Sequence, residues 1–127
     1  LNTGCIINAM RDPTRGGVAA TLCEWAHDNT DIEIVDRSLP IRPDVSAACG
    51  ILGMDPLYIA NEGIMVPSVP ECHSENVLAA LQNNPLGEHA AIIGQVKKGH
   101  GHVYTVTEVG TKRKVMLPQG ELLPRIC

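Results

Sequence analysis

The last residue of the chain is a cysteine, Cys127, whose thiol could carry a covalently bound group. Gly120 loosens the backbone before it, and Pro124 opposes helix formation. Fully extended, residues 121–127 would reach about 20 Å at roughly 3.3 Å per residue. Terminal residues are usually unimportant, but a free exposed thiol is a liability that proteins seldom keep without use. We therefore predict that Cys127 is a catalytic residue on a flexible C-terminal tail, residues 119–127.

A polar segment with two glycines precedes the strongest helical pattern. Residues 10–17 have the sequence MRDPTRGG. Glycines let backbone N–H groups approach an anion, a helix N-terminus attracts negative charge, and arginines offer paired donors to phosphate. The segment predicts a phosphate-binding loop whose cofactor-binding residues are Asp12, Thr14, Arg15, Gly16 and Gly17. An N-cap formed by the Asp or Thr side chain explains the same pattern, so this alternative stays open.

A carboxylate beside a glycine, Glu62 in Asn61-Glu62-Gly63, lies between a predicted turn and a predicted strand. The glycine permits close approach by a ligand, and partial burial would make the carboxylate a better base. We predict that Glu62 is a catalytic proton acceptor. The alternative is a loop carboxylate with a purely structural capping role.

Histidines and cysteines occur close together at His100-Gly101-His102 and at Cys72-His73. Structural zinc sites usually have two pairs of ligands at short spacing, and neither segment has that pattern. We therefore predict no metal site, and we expect His100 and His102 in a solvated hairpin loop. The five cysteines are irregularly spaced and odd in number, which argues for reduced thiols rather than a secreted disulfide framework.

The composition limits the classes of function. With 44% hydrophobic and 19% charged residues, the 127-residue chain fits one globular domain, and its core must be aliphatic because it has no Phe. The net charge of −4 argues against nucleic acid as a partner. No apolar run reaches the roughly 18 residues of a membrane span, so we expect a cytoplasmic protein. The chain begins with Leu1 rather than Met, which suggests a fragment without its N-terminal part.

Apolar spacing and turn residues predict three helices and five strands. The predicted helices begin near Gly17, Pro43 and Pro70 and end before His27, Gly53 and Asn83. The predicted strands cover residues 32–35, 64–66, 90–96, 103–107 and 111–117. This order predicts an α+β fold with a mixed, largely antiparallel β-sheet covered by helices.

Four segments together resemble one known family. They are MRDPTRGG at 10–17, DPLYIANEG at 55–63, NPLGEHAAIIGQV at 84–96 and the terminal PRIC at 124–127. Their order and extent resemble the C-terminal domain of the HypE family of hydrogenase maturation factors, which are carbamoyl dehydratases. PRIC is the specific segment, because the others resemble a wider superfamily that includes aminoimidazole ribonucleotide synthetase and selenophosphate synthetase.

This resemblance implies a domain organisation and partners. Residues 1–118 would form the C-terminal domain, and an N-terminal ATP-binding domain, absent from this chain, would supply most of the ATP and Mg²⁺ site. The protein would work as a homodimer, and this fragment alone would be inactive. Its partners would be a carbamoyltransferase maturation factor and a scaffold complex that carries cyanide to the iron of nickel–iron hydrogenase.

The resemblance also assigns roles to residues. Cys127 would carry an S-carboxamide, Glu62 would remove a proton as this group is dehydrated to a thiocyanate, and residues 12–17 would hold phosphate oxygens. The chain departs from the family at Ile64, because family members commonly have a lysine directly after NEG. A function that depends on the charge of that lysine would be absent from this chain.

Two other functions remain open. Another ATP-dependent synthetase of the same superfamily could phosphorylate a free small molecule, and it would not need a terminal cysteine. A noncatalytic carrier could use Cys127 and histidines to hold iron or zinc, and it would contain stoichiometric metal.

Overall fold

The structure is a computed structural model that describes residues 4–117. Its elements, in chain order, are β1 (Ala9–Arg11), α1 (Gly17–Trp25), β2 (Thr30–Val35), α2 (Pro43–Leu52), β3 (Val66–Ser68), α3 (Ser74–Gln82), β4 (Gly94–Lys98), β5 (Val103–Val106) and β6 (Lys112–Val115). The predicted tail at 119–127, with Cys127, lies outside the described residues.

A four-stranded sheet in the order β4–β2–β5–β6 forms the main layer of the domain. The central strands β2 and β5 are parallel, whereas β4 and β6 pair antiparallel with their neighbours. β1 and β3 form a separate antiparallel ribbon. The predicted α+β fold with a mixed, largely antiparallel sheet is therefore confirmed.

The core lies between α1 and one face of this sheet. β2 alternates, with Ile32 and Ile34 buried and Glu33 on the opposite face. On that face Glu33 accepts hydrogen bonds from Lys112 and from Lys97 (2.6 Å), which lower the pKa of its carboxyl group. The buried cluster also includes residues of α1 and its C-cap, of β3, β5 and β6, and of the loop before β3: Ala19, Leu22, Ala26, Leu57, Val66, Val103 and Val115. An aliphatic core was predicted, and this cluster contains no aromatic residue.

The second helix has the predicted bounds but not a buried apolar face. Pro43 occupies its first turn, and Gly53 caps its C-terminus with φ of 65°. Ile51 and Leu52 are nevertheless 86% and 69% exposed, and Cys49 is the buried residue of the helix. Among residues 4–117, no helix is both long and apolar enough to cross a bilayer.

The prediction of a strand at residues 64–66, whose apolar side chains would be buried, is wrong in position and burial. The strand is Val66–Ser68, and only Val66 reaches the core, whereas Ile64 and Met65 are 43% and 56% exposed. The physical reason is that β3 pairs with β1 in a separate two-stranded ribbon rather than in the four-stranded sheet, and Met10 of β1 is also 51% exposed. Pro67 is tolerated inside this strand because it lies at a sheet edge.

Residues 99–102 form a crossover rather than the predicted hairpin. β4 and β5 both pair with β2, on opposite sides, so the connection between them passes the end of β2. Asp31 holds this connection, since its carboxylate accepts the backbone N–H groups of His100 (2.8 Å) and His102 (2.9 Å). A Cβ at Gly99 would lie 1.9 Å from the Asp31 carboxyl carbon, so a side chain at this position would displace the carboxylate.

The hydrogen bonds to Asp31 in this crossover predict that part of the stability of the fold is lost at acid pH. The hydrogen bonds from His102 and His100 lower the pKa of the Asp31 carboxyl group. A depressed folded-state pKa stabilises the fold above the unfolded value of about 4, and this contribution is lost as pH falls through the folded value. Replacing Asp31 with Ala should therefore lower the urea midpoint at pH 7, with a difference from wild type that shrinks below about pH 4. Asp28→Ala, in the adjacent exposed turn, is the control, and an Asp31→Ala deficit that is the same at every pH would contradict the prediction.

Candidate active site

The two predicted loops lie at the same end of the β1–β3 ribbon. Arg11 pairs with Val66, so the segment that follows β1 and the segment that precedes β3 leave the ribbon together. The backbone N–H of Asn61 donates to the carbonyl oxygen of Pro13 at 3.0 Å. Pro13 is fully buried, which fixes the centre of the first loop. The structure thus brings Glu62 next to the predicted phosphate-binding segment.

Gly17 allows the second loop to pack against the start of α1. Its φ is +63°, and a Cβ there would lie 2.5 Å from the carbonyl oxygen of Leu57 and 2.6 Å from that of Ile59. Contacts this short exclude any side chain. Gly17 therefore has a packing role in this domain, in addition to its predicted role in phosphate binding.

The N-terminus of α1 has no side-chain cap. Gly16 occupies the N-cap position with φ of 71°, and no side chain accepts a hydrogen bond there. The alternative in which Asp12 or Thr14 caps the helix is therefore wrong. The N–H of Gly17 donates to the carbonyl oxygen of Thr14 at 3.4 Å. The other N–H groups of the first turn, which have no side-chain cap, and the local dipole suit a phosphate group.

The two arginines of this loop differ in their surroundings. Arg11 forms an ion pair with Glu24 of α1. Arg15 is exposed, and within residues 4–117 it forms no ion pair. Of the two, Arg15 is therefore the one able to meet an anion without breaking an existing pair.

Glu62 is exposed, so the predicted partial burial is wrong for this domain. The neighbouring Asn61 closes its own loop, because its side-chain oxygen accepts the N–H of Gly63 at 2.8 Å. Asn61 rather than Glu62 therefore caps this loop.

Residues that sequence analysis missed fix the turn before Glu62. Asp55 accepts the N–H of Leu57 at 3.0 Å with one oxygen, and its other oxygen accepts a hydrogen bond from Arg113 of β6 at 2.9 Å. This pair raises the pKa of the Arg113 guanidinium. The hydroxyl of Tyr58 accepts the backbone N–H of Met116 at 3.3 Å. The Asp-Pro pair was the sequence signal for a capped turn, but nothing local pointed to Arg113.

The described cysteines differ in their suitability as carriers of a covalent group. Cys49 is buried, and burial raises the pKa of the half-buried Cys23 thiol. Cys72 is exposed. Cys127, the predicted carrier, lies outside the described residues. No group of three or more potential His, Cys, Asp or Glu metal ligands occurs within the described part of the chain.

Comparison with known proteins identifies the domain family. Residues 4–107 match the model described as AIR synthase related protein, C-terminal domain. The chain belongs to this family. The start of α1 and the Asn61-Glu62-Gly63 loop both lie within the matched residues.

The relatives of this domain include hydrogenase maturation proteins. The carbamoyl dehydratase HypE of Bradyrhizobium diazoefficiens is 47% identical over 123 residues, covering 95% of this chain and 36% of the relative. A crystal structure of the hydrogenase maturation protein HypE superposes with a TM-score of 0.90 at 42% identity, covering 99% of this chain and 41% of that one. The resemblance predicted from the motifs is therefore confirmed.

Two further structures bear on ligands and partners of those proteins. HypE in complex with ATP has a TM-score of 0.87 at 38% identity, covering 96% of this chain and 38% of that one. The HypE–HypF complex has a TM-score of 0.83 at 37% identity, covering 88% of this chain and 37% of that one. The chain spans little more than a third of the length of these relatives.

Proposed function

We propose that this domain is part of an ATP-dependent carbamoyl dehydratase that acts in nickel–iron hydrogenase maturation. The observation that carries the proposal is the hydrogen bond between Asn61 and Pro13, which joins the predicted base loop to the predicted phosphate loop. A dehydration driven by ATP needs these two functions side by side. The similarity to carbamoyl dehydratases named HypE gives the reaction class.

The proposed substrate is an S-carboxamide on Cys127, loaded by a carbamoyltransferase. An amide oxygen is a poor leaving group, so ATP phosphorylates it: one nitrogen-bound proton is lost, ADP is released, and the carboxamide becomes an O-phosphorylated imidate. Loss of phosphate and of the remaining nitrogen-bound proton then forms the carbon–nitrogen triple bond of a thiocyanate. The net change is carboxamide plus ATP to thiocyanate, ADP and phosphate.

The residues of the two loops fit separate parts of this reaction. Glu62 is exposed at the end of the ribbon and can accept the proton from nitrogen. The N–H groups at the start of α1, together with Arg15, can hold phosphate oxygens as charge develops on them. Mg²⁺, when bound with ATP, would neutralise phosphate charge, and we assign its ligands and most of the ATP contacts to an N-terminal domain outside this chain.

The assembly is proposed by analogy with the relatives. A structure of HypE with ATP supports the nucleotide, and the HypE–HypF complex supports a maturation factor as the carbamoyl donor. We further propose a cytoplasmic homodimer that passes cyanide to an iron scaffold complex. The division into a domain at 1–118 and a reactive tail at 119–127 is part of the same proposal.

The test uses the full-length protein with ATP, carbamoyl phosphate and the carbamoyltransferase. Mass spectrometry of the C-terminal peptide should detect first the carboxamide on Cys127 and then a product lighter by one water. Cys127→Ala should abolish both species, whereas Cys72→Ser, which removes an exposed thiol elsewhere, should leave them unchanged. An adduct that stays at the carboxamide mass with active partners would contradict the dehydratase. Turnover of a soluble substrate at a normal rate by Cys127→Ala would instead favour another synthetase.

A further inference from the structure

We propose that Asp55 and Arg113 act as a positioning pair that holds the Glu62 loop against the end of β6 in the orientation needed for dehydration. This inference rests on the proposed function, because it gives these residues a role in the same reaction. Neither residue contacts the reacting atoms in the proposal. Their effect passes through the backbone of the turn at Pro56–Tyr58.

Asp55 connects the turn to the sheet with its two carboxylate oxygens. One oxygen accepts a hydrogen bond from the backbone N–H of Leu57, within the turn itself. The other oxygen accepts a hydrogen bond from the guanidinium group of Arg113. Because Arg113 belongs to β6, the turn cannot rotate relative to the sheet without stretching this ion pair. Leu57, at the centre of the turn, is 4% exposed and belongs to the core cluster.

A second contact holds the other side of the turn. The hydroxyl of Tyr58 accepts the N–H of Met116, directly after β6. The opposite surface of the turn packs on Gly17, where the carbonyl oxygens of Leu57 and Ile59 come too close to admit a Cβ. The turn is therefore fixed between the start of α1 and the end of β6.

The position of Glu62 depends on this turn. Only three residues separate Tyr58 from Glu62, and within them Asn61 is held to Pro13 through its backbone N–H. The Glu62 side chain itself makes no hydrogen bond or ion pair with the residues described here. Its placement therefore comes from the backbone on either side, and a displaced turn would move the base away from its proton.

Because the Asp55–Arg113 pair is exposed, its effect on the reaction rate can be distinguished from its effect on the stability of the fold. The side chains of Arg113 and Asp55 are 61% and 28% exposed. Ion pairs this exposed contribute little to the free energy of unfolding. A large loss of reaction rate with an almost unchanged unfolding midpoint would therefore indicate positioning rather than damage to the fold.

The same strand provides a matched control. Lys112 is adjacent to Arg113 in β6 and forms an ion pair with Glu33, on the sheet face away from the core. Its side chain is 53% exposed, close to the value for Arg113. Removing Lys112 costs β6 its ion pair with Glu33 and the contact of its ammonium group with the Tyr104 ring, 6.0 Å from the ring centroid, without touching the turn.

The experiment compares variants of the full-length protein in a single turnover of the loaded carboxamide. Arg113→Met and Asp55→Asn should each slow dehydration about tenfold and leave the KM for ATP unchanged. The reason is that moving a catalytic group by about 1 Å can lower the reaction rate by about tenfold or more. Arg113→Lys should recover most of the rate, and the double variant should be no slower than Arg113→Met, because both changes break the contact between Asp55 and Arg113. Arg113→Met also removes the hydrogen bond that Arg113 Nε donates to the hydroxyl of Thr105 at 3.4 Å. Lys112→Met should react at the wild-type rate.

Hydrogen exchange in the same proteins gives a readout that does not need the reaction. Backbone amides of residues 59–63 should exchange faster in Arg113→Met than in Lys112→Met. Equal exchange in the two variants, or equal dehydration rates, would overturn the positioning pair. A wild-type protein that never dehydrates its carboxamide would contradict the proposed function instead, and the exchange difference would still decide whether the pair holds the loop.

Discussion

Replacing Glu62 with Gln in the full-length protein is expected to stop the reaction at the carboxamide. The substitution keeps the size and polarity of the side chain but removes the carboxylate that would accept a proton from nitrogen. General bases contribute roughly 10²- to 10⁴-fold to a rate, so thiocyanate formation should fall by at least about 100-fold. Loading of Cys127 precedes this step and should proceed normally. A time course of C-terminal peptide masses measures both stages in one sample.

The control for this variant is Glu108→Gln. Glu108 is also an exposed carboxylate in a loop, but its loop joins β5 to β6 and belongs to neither strand connection of the β1–β3 ribbon. Its replacement should leave loading and dehydration unchanged. Normal thiocyanate formation by Glu62→Gln would show that Glu62 is not the catalytic base. A parallel loss in Glu108→Gln would trace the defect to net charge rather than to a specific base.

Local signals in the sequence were enough to predict the ends of the second helix. Pro43 favours the first helical turn and Gly53 adopts the left-handed conformation that ends a helix, and both effects act within a few residues. Burial could not be predicted in the same way. The exposure of Ile51 and Leu52 depends on what packs against the helix, and apolar spacing along one segment contains no information about its neighbours.

Strand pairing was the least predictable part of the fold. The crossover at 99–102 has the turn residues of a hairpin, and only the pairing of β2 with both β4 and β5 excludes that hairpin. The strand Ala9–Arg11 was missed because three residues ending in an arginine lack a recognisable alternation. Both errors concern contacts between residues distant in sequence.

The two loops of the candidate site could be predicted from the sequence, but their proximity in space could not. The glycines and charges of residues 10–17, and the carboxylate of Glu62, were visible in the sequence. Their proximity depends on the ribbon and on the bond from Asn61 to Pro13, which no local pattern encodes. The family resemblance supplied roles for these residues, and the structure supplied the contacts that join them.

Replacing Gly17 with Ala is expected to be among the most destabilising single changes in the domain. The new Cβ would lie 2.5 Å from the Leu57 carbonyl oxygen, and Gly17 also has a positive φ of 63°. Left-handed strain costs an alanine about 1–2 kcal/mol, and forcing apart packed backbone adds about 1–3 kcal/mol. We expect a total loss of about 2–5 kcal/mol in the free energy of unfolding, measured by urea titration.

Gly53→Ala isolates the packing contribution in this measurement. Gly53 has nearly the same φ, 65°, but a Cβ there would meet no atom within 4 Å. It should therefore show only the conformational strain, about 1–2 kcal/mol. The difference between the two variants measures the contact between the start of α1 and the turn before Glu62. Equal losses of unfolding free energy in the two variants would mean that the backbone around Gly17 moves easily to admit a Cβ. The phosphate loop and the base loop would then not be rigidly joined through Gly17.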